Sequence, residues 1–268
     1  MSEGKKEILL GDCLELMKDI PNGSIDMILC DLPYEVTSLG WDSAIDTNEL
    51  FNQYNRIISD CGAIVLFGTQ PFSAKLIMAN IEYFRYEWVW QKDSPSNIFF
   101  AQVQPLKYHE NILVFSKAKA HNQAKIKMTY NPQMQVRKEE NKRNNNIRKN
   151  NKSYLWGEGR EFDCQKQVGN EDFIYPSSIQ YCNRVRNGVH TSEKPVSLFE
   201  YLIKTYTNEG DLVLDNTAGS GTTAIACLNT NRQFIVMEKE QKYYDIILNR
   251  VADFNKKFET QTLFENEM

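Results

Sequence analysis

The sequence is short of the residues that build metal centres and disulfide frameworks. It holds three histidines, and its six cysteines (Cys13, Cys30, Cys61, Cys164, Cys182, Cys227) are scattered with no C-x-x-C pair. Reduced thiols and no bound metal are therefore expected. Long apolar runs are missing too. No stretch approaches the roughly 18 apolar residues of a membrane span, and the opening MSEGKKEILL lacks the apolar core of a secretion signal. A cytoplasmic protein without a membrane partner is the expectation. Positive charge is in slight deficit: 31 Lys and Arg against 35 Asp and Glu give a net charge of -4. Taken alone, that argues against a nucleic-acid binder, because phosphate contacts need basic side chains.

The average hides an asymmetry. Eleven basic residues lie between Lys117 and Lys152 (Lys117, Lys119, Lys125, Lys127, Arg137, Lys138, Lys142, Arg143, Arg148, Lys149, Lys152), against only Glu139 and Glu140. This stretch is nine charges positive, so the rest of the chain carries about -13. Within it, KEENKRNNNIRKNN has no apolar period and cannot bury enough surface to order itself. A charge run of this kind reads equally as a solvated loop or as a phosphate-facing insert.

With 268 residues and 41% hydrophobic content, the chain can fill one large domain carrying an insertion. Short apolar runs at Ile8 to Leu10, Ile25 to Cys30, Ala63 to Phe67 and Tyr86 to Trp90 read as strands, with a further run at Asn111 to Phe115. Asn48 to Ile58 and Pro71 to Ala79 read as helices between them. Buried strands alternating with helices mark an α/β fold whose mostly parallel sheet has helices on both faces. The rhythm resumes from Val196. Phe199, Leu202, Ile203 and Tyr206 share a helical face, Leu212 to Asp215 reads as a strand, a helix starts near Thr222, and Phe234 to Met237 is a strand ending at Glu238. Tyr244, Ile247, Leu248 and Val251 mark a last amphipathic helix.

The strand ending at Asp215 runs into Asn216-Thr217-Ala218-Gly219-Ser220-Gly221-Thr222-Thr223, a turn whose glycines allow close approach of backbone to a ligand. Glu238, at the end of the next strand, stands where an acid accepts ribose hydroxyls in such units. A phosphate-binding P-loop is excluded, since no lysine follows Gly221. Gly219-x-Gly221-x-x-Ala224 does satisfy the dinucleotide pattern. Asp215 favours instead a methionine-derived cofactor, whose ammonium it could hold, over a pyrophosphate that it would repel. Both readings stay open on the turn alone, as does bare turn geometry.

The strand Ile25 to Cys30 stops at Asp31-Leu32-Pro33-Tyr34. Pro33 ends ladder pairing and constrains the turn that presents Asp31 and Tyr34 at the carboxyl edge of the sheet. By itself this is an ordinary strand-ending turn. Paired with the glycine turn it becomes specific. The exocyclic amine of a base is a poor nucleophile because its lone pair is delocalised into the ring. Acceptors at Asp31 and the Leu32 carbonyl would pull it toward tetrahedral geometry, and Tyr34 would stack on the flipped base.

These two motifs together resemble those of the amino-methyltransferases of DNA. In that family an aspartate-proline-proline-tyrosine motif is catalytic, and an aspartate-proline-phenylalanine-x-glycine-serine-glycine-threonine motif binds S-adenosylmethionine. The catalytic motif here precedes the cofactor motif with a basic insert between, which resembles the circularly permuted beta-type subgroup of bacteria and phages. The resemblance implies a Rossmann-like S-adenosylmethionine-dependent methyltransferase fold, in which Asp31, Leu32, Pro33 and Tyr34 carry the chemistry. Cofactor contacts would come from Asp12 and Cys13 (adenine), Lys194 in His190 to Pro195 (methionine part), Asp215, Thr217, Gly219, Gly221 and Thr222 (loop) and Glu238 (ribose). His109-Glu110-Asn111 resembles a recurrent family segment with a structural role. The implied organisation is a catalytic half at 1–116, an inserted target-recognition region at 117–189, and a cofactor-binding half of the same domain at 190–268. Lys125, Lys127, Arg137, Lys138, Lys142, Arg143, Arg148, Lys149 and Lys152 would grip double-stranded DNA.

The chain departs from the family pattern twice: Leu32 replaces a proline, and Asn216-Thr217-Ala218 replaces proline-phenylalanine-x, removing an aromatic wall. The aspartate heading the catalytic motif favours adenine-N6 as target. Cytosine-N4, an RNA or protein amino group, and a catalytically silent DNA-binding relative are the alternatives. Family members are often dimers, so a homodimer is among the assemblies the resemblance allows.

Overall fold

The computed structural model describes residues 4–33, 45–121, 123–136, 172–186 and 193–266. The chain divides into two compact units, one formed by Met1–Asn131 with Ser178–Met268 and the other by Pro132–Ser177.

The larger unit is built on an eight-stranded sheet. Its strands are β1 (Lys6–Leu10), β2 (Ile25–Cys30), β3 (Ile58–Gly68), β4 (Phe84–Gln91), β5 (His109–Phe115), β8 (Ile179–Tyr181), β9 (Leu212–Asp215) and β10 (Gln233–Glu238). They lie in the order β1-β10-β9-β2-β3-β5-β4-β8. The pairs β1/β10, β10/β9, β9/β2, β2/β3 and β4/β8 are parallel; β5 alone runs antiparallel to both its neighbours. The helices are α1 (Cys13–Leu16), α2 (Thr47–Ile57), α3 (Phe72–Ala79), α4 (Val196–Tyr206), α5 (Thr222–Asn229) and α6 (Gln241–Asn266).

Alternation along the strands fills two cores. In β3, Ala63, Val65 and Phe67 face one side, where they pack with α4 (Leu198, Phe199, Leu202, Ile203, Tyr206), α5 and Ile247 of α6. Ile64 and Leu66 face the other, with Leu50, Phe51, Tyr54 and Ile57 of α2 and Leu76 of α3. Each such buried side chain stabilises by roughly 1.5–3 kcal/mol, which explains why the period-2 pattern and the helical stripes had to coincide. Local signals agree: Asp46 caps α2, accepting from the amides of Asn48 (2.8 Å) and Glu49 (3.2 Å).

The sheet is mostly parallel, as expected; β5 runs antiparallel within it, a direction that a buried apolar run does not encode. Two expectations need correction. Leu248 is 42% exposed, because α6 turns Ile247 and Val251 toward the first core and leaves Leu248 off that face. The boundary at 117 is also displaced. Ala118 and Met128 are buried in the first core, and the amides of Thr129 and Asn131 donate to Cys61 O (2.9 Å) and Thr205 O (2.7 Å). That anchors residues up to 131 to the larger unit, while 178 onward supplies β8. In the smaller unit, β6 (Gln135–Val136) pairs antiparallel with β7 (Phe173–Ile174).

Candidate active site

Seven strands, β1, β10, β9, β2, β3, β4 and β8, point their carboxyl termini to one edge of the sheet. In open α/β sheets the crevice outside such ends is the usual ligand position. At its centre β9 lies against β2, with Ile28 paired to Leu214, so the turns that follow these strands emerge side by side.

The contact between the turns is direct. Thr217 Oγ1 donates to the backbone carbonyl of Asp31 (3.2 Å). Lys194 closes the third side: its ammonium donates to the Asp31 carboxylate, and its carbonyl accepts from Thr222 Oγ1 (3.4 Å). Leu32 is buried in the α2-side core, which accounts for an apolar side chain where the family pattern has proline. Pro33 is described and partly exposed. Tyr34 lies outside the described residues.

The glycine turn is organised from beneath. Asp215, 3% exposed, accepts from the Thr217 amide (3.0 Å) and from the Thr223 hydroxyl. Burial pushes its pKa up to about 7, against the lowering effect of those hydrogen bonds. Asn216, standing where the pattern has proline, is buried with its Oδ1 accepting from Tyr54 OH (2.5 Å) and Cys30 Sγ (2.8 Å). Gly221 has φ 83°, and a Cβ there would come within 2.9 Å of Ile247 Cγ1; Gly219 has φ 53°, and a Cβ there would meet nothing within 4 Å. Only Gly219 therefore opens to a ligand, whereas Gly221 is required by packing against α6. Arg250 of α6 ties the turn to the segment before α4, donating to Ser220 O and Glu193 Oε1 (both 2.8 Å).

Beside the turn, Glu238 accepts from the amides of Gly219 (2.8 Å) and Glu240 (2.9 Å). Burial raises its pKa while these amides counter the rise. Asp12 caps α1 through the Leu14 amide (2.9 Å), and Gly11 N donates to Glu238 O (2.9 Å). Half-buried Cys13 opens that helix. Four carboxylates, Asp12, Asp31, Asp215 and Glu238, thus line one edge, and the Gly219 N–H is already taken by one of them. Such a set of acidic acceptors, with that amide unavailable to a phosphate, disfavours a pyrophosphate and with it the dinucleotide reading. It fits S-adenosylmethionine, whose sulfonium and ammonium are cationic and whose ribose diol donates to an acid.

The structure does not bring every expected residue to this edge. Lys125 and Lys127 are exposed, but Met128 and Thr129 pin their segment beside Cys61, at the amino end of β3. At about 3.3 Å per strand residue, that is on the order of 20 Å from the catalytic edge. Arg137, Lys138, Lys142, Arg143, Arg148, Lys149 and Lys152 lie outside the described residues, as do His190, Thr191 and Ser192. Conversely, the edge carries groups to which sequence reasoning gave no chemistry. Glu110 bonds Lys92 and lies 3.5 Å from Lys194. The Arg184 backbone amide and the Arg186 guanidinium both donate to the Asp93 carboxylate there (2.9 Å each). The loop from 92 to 108, closed by Asn97 on Lys107 N (2.6 Å) and Pro105 O (3.0 Å), presents Phe99 96% exposed.

A parallel switch point with an acidic strand end, a glycine turn and a proline corner in one cleft defines the S-adenosylmethionine-dependent methyltransferase class. A DNA methylase family profile of the N6/N4 type matches residues 25–249, and the chain belongs to that DNA methyltransferase family. It is 27% identical over 267 residues to the type II methyltransferase M.HpaI of Haemophilus parainfluenzae, covering 93% of this chain and 76% of that relative. It is likewise 27% identical over 272 residues to M.HinfI of Haemophilus influenzae, covering 92% and 68%. Among solved structures, the M1.HpyAVI–SAM complex superposes with a TM-score of 0.58 at 22% identity, covering 91% of this chain and 98% of that one. The cytosine-N4-specific PvuII DNA methyltransferase does so with 0.62 at 16%, covering 91% and 85%. These likenesses establish the shared fold. Among the described residues, no group of three or more His, Cys, Asp or Glu could hold a metal, and no helix is long and apolar enough to cross a membrane.

Proposed function

We propose that this protein transfers the methyl group of S-adenosylmethionine to the N6 amine of adenine in double-stranded DNA by direct in-line attack. The observation that carries the reading is the hydrogen bond from Thr217 to Asp31, which joins the proline corner to the glycine turn. Bound S-adenosylmethionine supplies an electrophilic methyl on its sulfonium.

The chain's own residues do the rest. Glu238 holds the ribose hydroxyls, Asp12 and Cys13 the adenine end, Gly219 makes room beside the turn, and Thr217, Thr222, Asp215 and Gly221 shape it. Asp31 and the Leu32 carbonyl accept the N–H bonds of the target amine, which localises its lone pair. As the new N–C bond forms and the C–S bond breaks, the amine's surplus proton passes to Asp31 directly or through water. Extruding the base costs a few kcal/mol, and stacking on Tyr34 recovers about 1–3 kcal/mol of that. The larger unit, residues 1–131 with 178–268, acts as one methyl-transfer domain, and the basic residues from Arg137 to Lys152, together with Arg184, Arg186 and Lys107, meet the DNA.

Aspartate at the head of the catalytic motif supports adenine over cytosine, as the resemblance implies. The test is nucleoside mass spectrometry of methylation-free duplex DNA after incubation with protein and S-adenosylmethionine. N6-methyldeoxyadenosine is expected. N4-methyldeoxycytidine would overturn the target base, and no modified nucleoside would overturn the reading entirely.

A further inference from the structure

Four charged side chains run as a file along the catalytic edge, from the end of β2 toward the end of β4 and the start of β5. Asp31 meets the Lys194 ammonium, which lies 3.5 Å from Glu110 Oε2, while Glu110 Oε1 holds Lys92. The file is nearly dry: the side chains of Lys92, Lys194 and Glu110 are 2%, 6% and 12% exposed. Two aromatic faces wall it, Phe67 under the Lys194 ammonium at 5.3 Å and Trp90 under that of Lys92 at 5.1 Å. Phe67 is itself stacked on Phe199 of α4 (5.3 Å between centroids), which packs the helix following Lys194 against the sheet.

Stability does not account for this arrangement. Taking four charges out of water costs more than their pairing returns unless the geometry is nearly ideal, and apolar residues of the same volume would hold a fold as well or better. The file instead terminates on one particular atom group, the carboxylate beside the cofactor turn. Resting on the assignment of Asp31 as the acceptor of the target amine, we propose that Glu110 and Lys92 are positioning residues for methyl transfer, holding the Lys194 ammonium in place so that Asp31 presents its carboxylate in a single orientation.

Register makes the arrangement. Antiparallel pairing sets Trp90 opposite Glu110, which puts Lys92, just beyond β4, within reach of Glu110 near the start of β5. Lys194 arrives from the other half of the chain at the foot of α4. The file holds two positive and two negative groups. Burial opposes the charge on Lys194, but Asp31 and Glu110 more than offset it and raise its pKa. Burial likewise opposes ionisation of Glu110, and Lys194 and Lys92 override it. For Lys92 burial wins over Glu110, with Lys194 and Arg184 adding to the lowering. Among the described residues, Lys107 also faces Glu110 and Asp215 faces Asp31.

Glu110→Gln, Glu110→Asp and Asp31→Ala are compared with the unaltered chain by S-adenosylmethionine titration and by single-turnover methyl transfer to duplex DNA across the alkaline range. Glu110→Gln should bind S-adenosylmethionine within about 2-fold of normal, yet transfer methyl about 10- to 100-fold more slowly, the scale of a misplaced catalytic group. Its alkaline limb should move to lower pH, because Lys194 has lost the Glu110 anion that raises its pKa and gives up its proton sooner. Glu110→Asp keeps the charge and should lose rate while the limb stays in place. A normal rate in Glu110→Gln, or a slowed rate with an unmoved limb, overturns the inference. If Glu110→Gln does not fold, an unimpaired rate in Glu110→Asp overturns it alone. Transfer surviving in Asp31→Ala would instead overturn the assignment on which it rests.

Discussion

Gly219 and Gly221 sit two residues apart in one turn and do different work. A side chain at Gly221 must both adopt φ 83° and displace Ile247 from 2.9 Å. Left-handed strain of about 1–2 kcal/mol and overpacking of about 1–3 kcal/mol add to a loss of roughly 2–5 kcal/mol for Gly221→Val. At about 2–4 °C per kcal/mol for a domain of this size, the melting temperature should fall by on the order of 10 °C. Gly219→Ala meets only the φ strain, so it should melt within a few degrees of the parent while weakening S-adenosylmethionine binding. Equal melting losses in the two variants would contradict the division. Sequence alone could say that both glycines mattered; it could not say which one faces ligand, because Ile247 arrives from α6. The same holds for Asn216, a departure from the family pattern that is made good by Tyr54 and Cys30 from other elements. Glu110 was visible within a recurrent segment, but its partners Lys92 and Lys194 come together only through strand register and the foot of α4.

At the scale of elements, the apolar periodicities carried the fold. The stripe Phe199, Leu202, Ile203, Tyr206 is buried throughout α4, and β2 and β9 span the runs that their residues marked. Direction was hidden, since an apolar run such as Asn111 to Phe115 reads alike in parallel and antiparallel neighbours. So was β8, three residues with two of them exposed, too short to show a period. The basic stretch was legible as charge and not as position: Lys125 and Lys127 are held at the far end of β3 by the burial of Met128. The phosphate grip proposed for the remaining basic residues has a simple signature. If about five of them reach phosphates, the logarithm of DNA affinity should fall with the logarithm of salt concentration at a slope of roughly -4.5. A slope near zero, read from fluorescence anisotropy, would remove that grip.

For the molecule as a whole, the decisive feature is where distant segments meet. The sheet order sets β1 beside β10 and β2 beside β9, so the amino-terminal proline corner and the late glycine turn, almost two hundred residues apart in the sequence, share one crevice. The motifs implied such a cleft, and tertiary packing supplied what they could not: the Thr217 bridge, the Lys194 clasp and the charged file beside it. The most direct test replaces Asp31 with alanine and measures two quantities on the same preparation, S-adenosylmethionine affinity by calorimetry and labelled methyl transfer to duplex DNA. Affinity close to that of the parent with transfer abolished is the predicted result. Transfer at an undiminished rate would contradict the account.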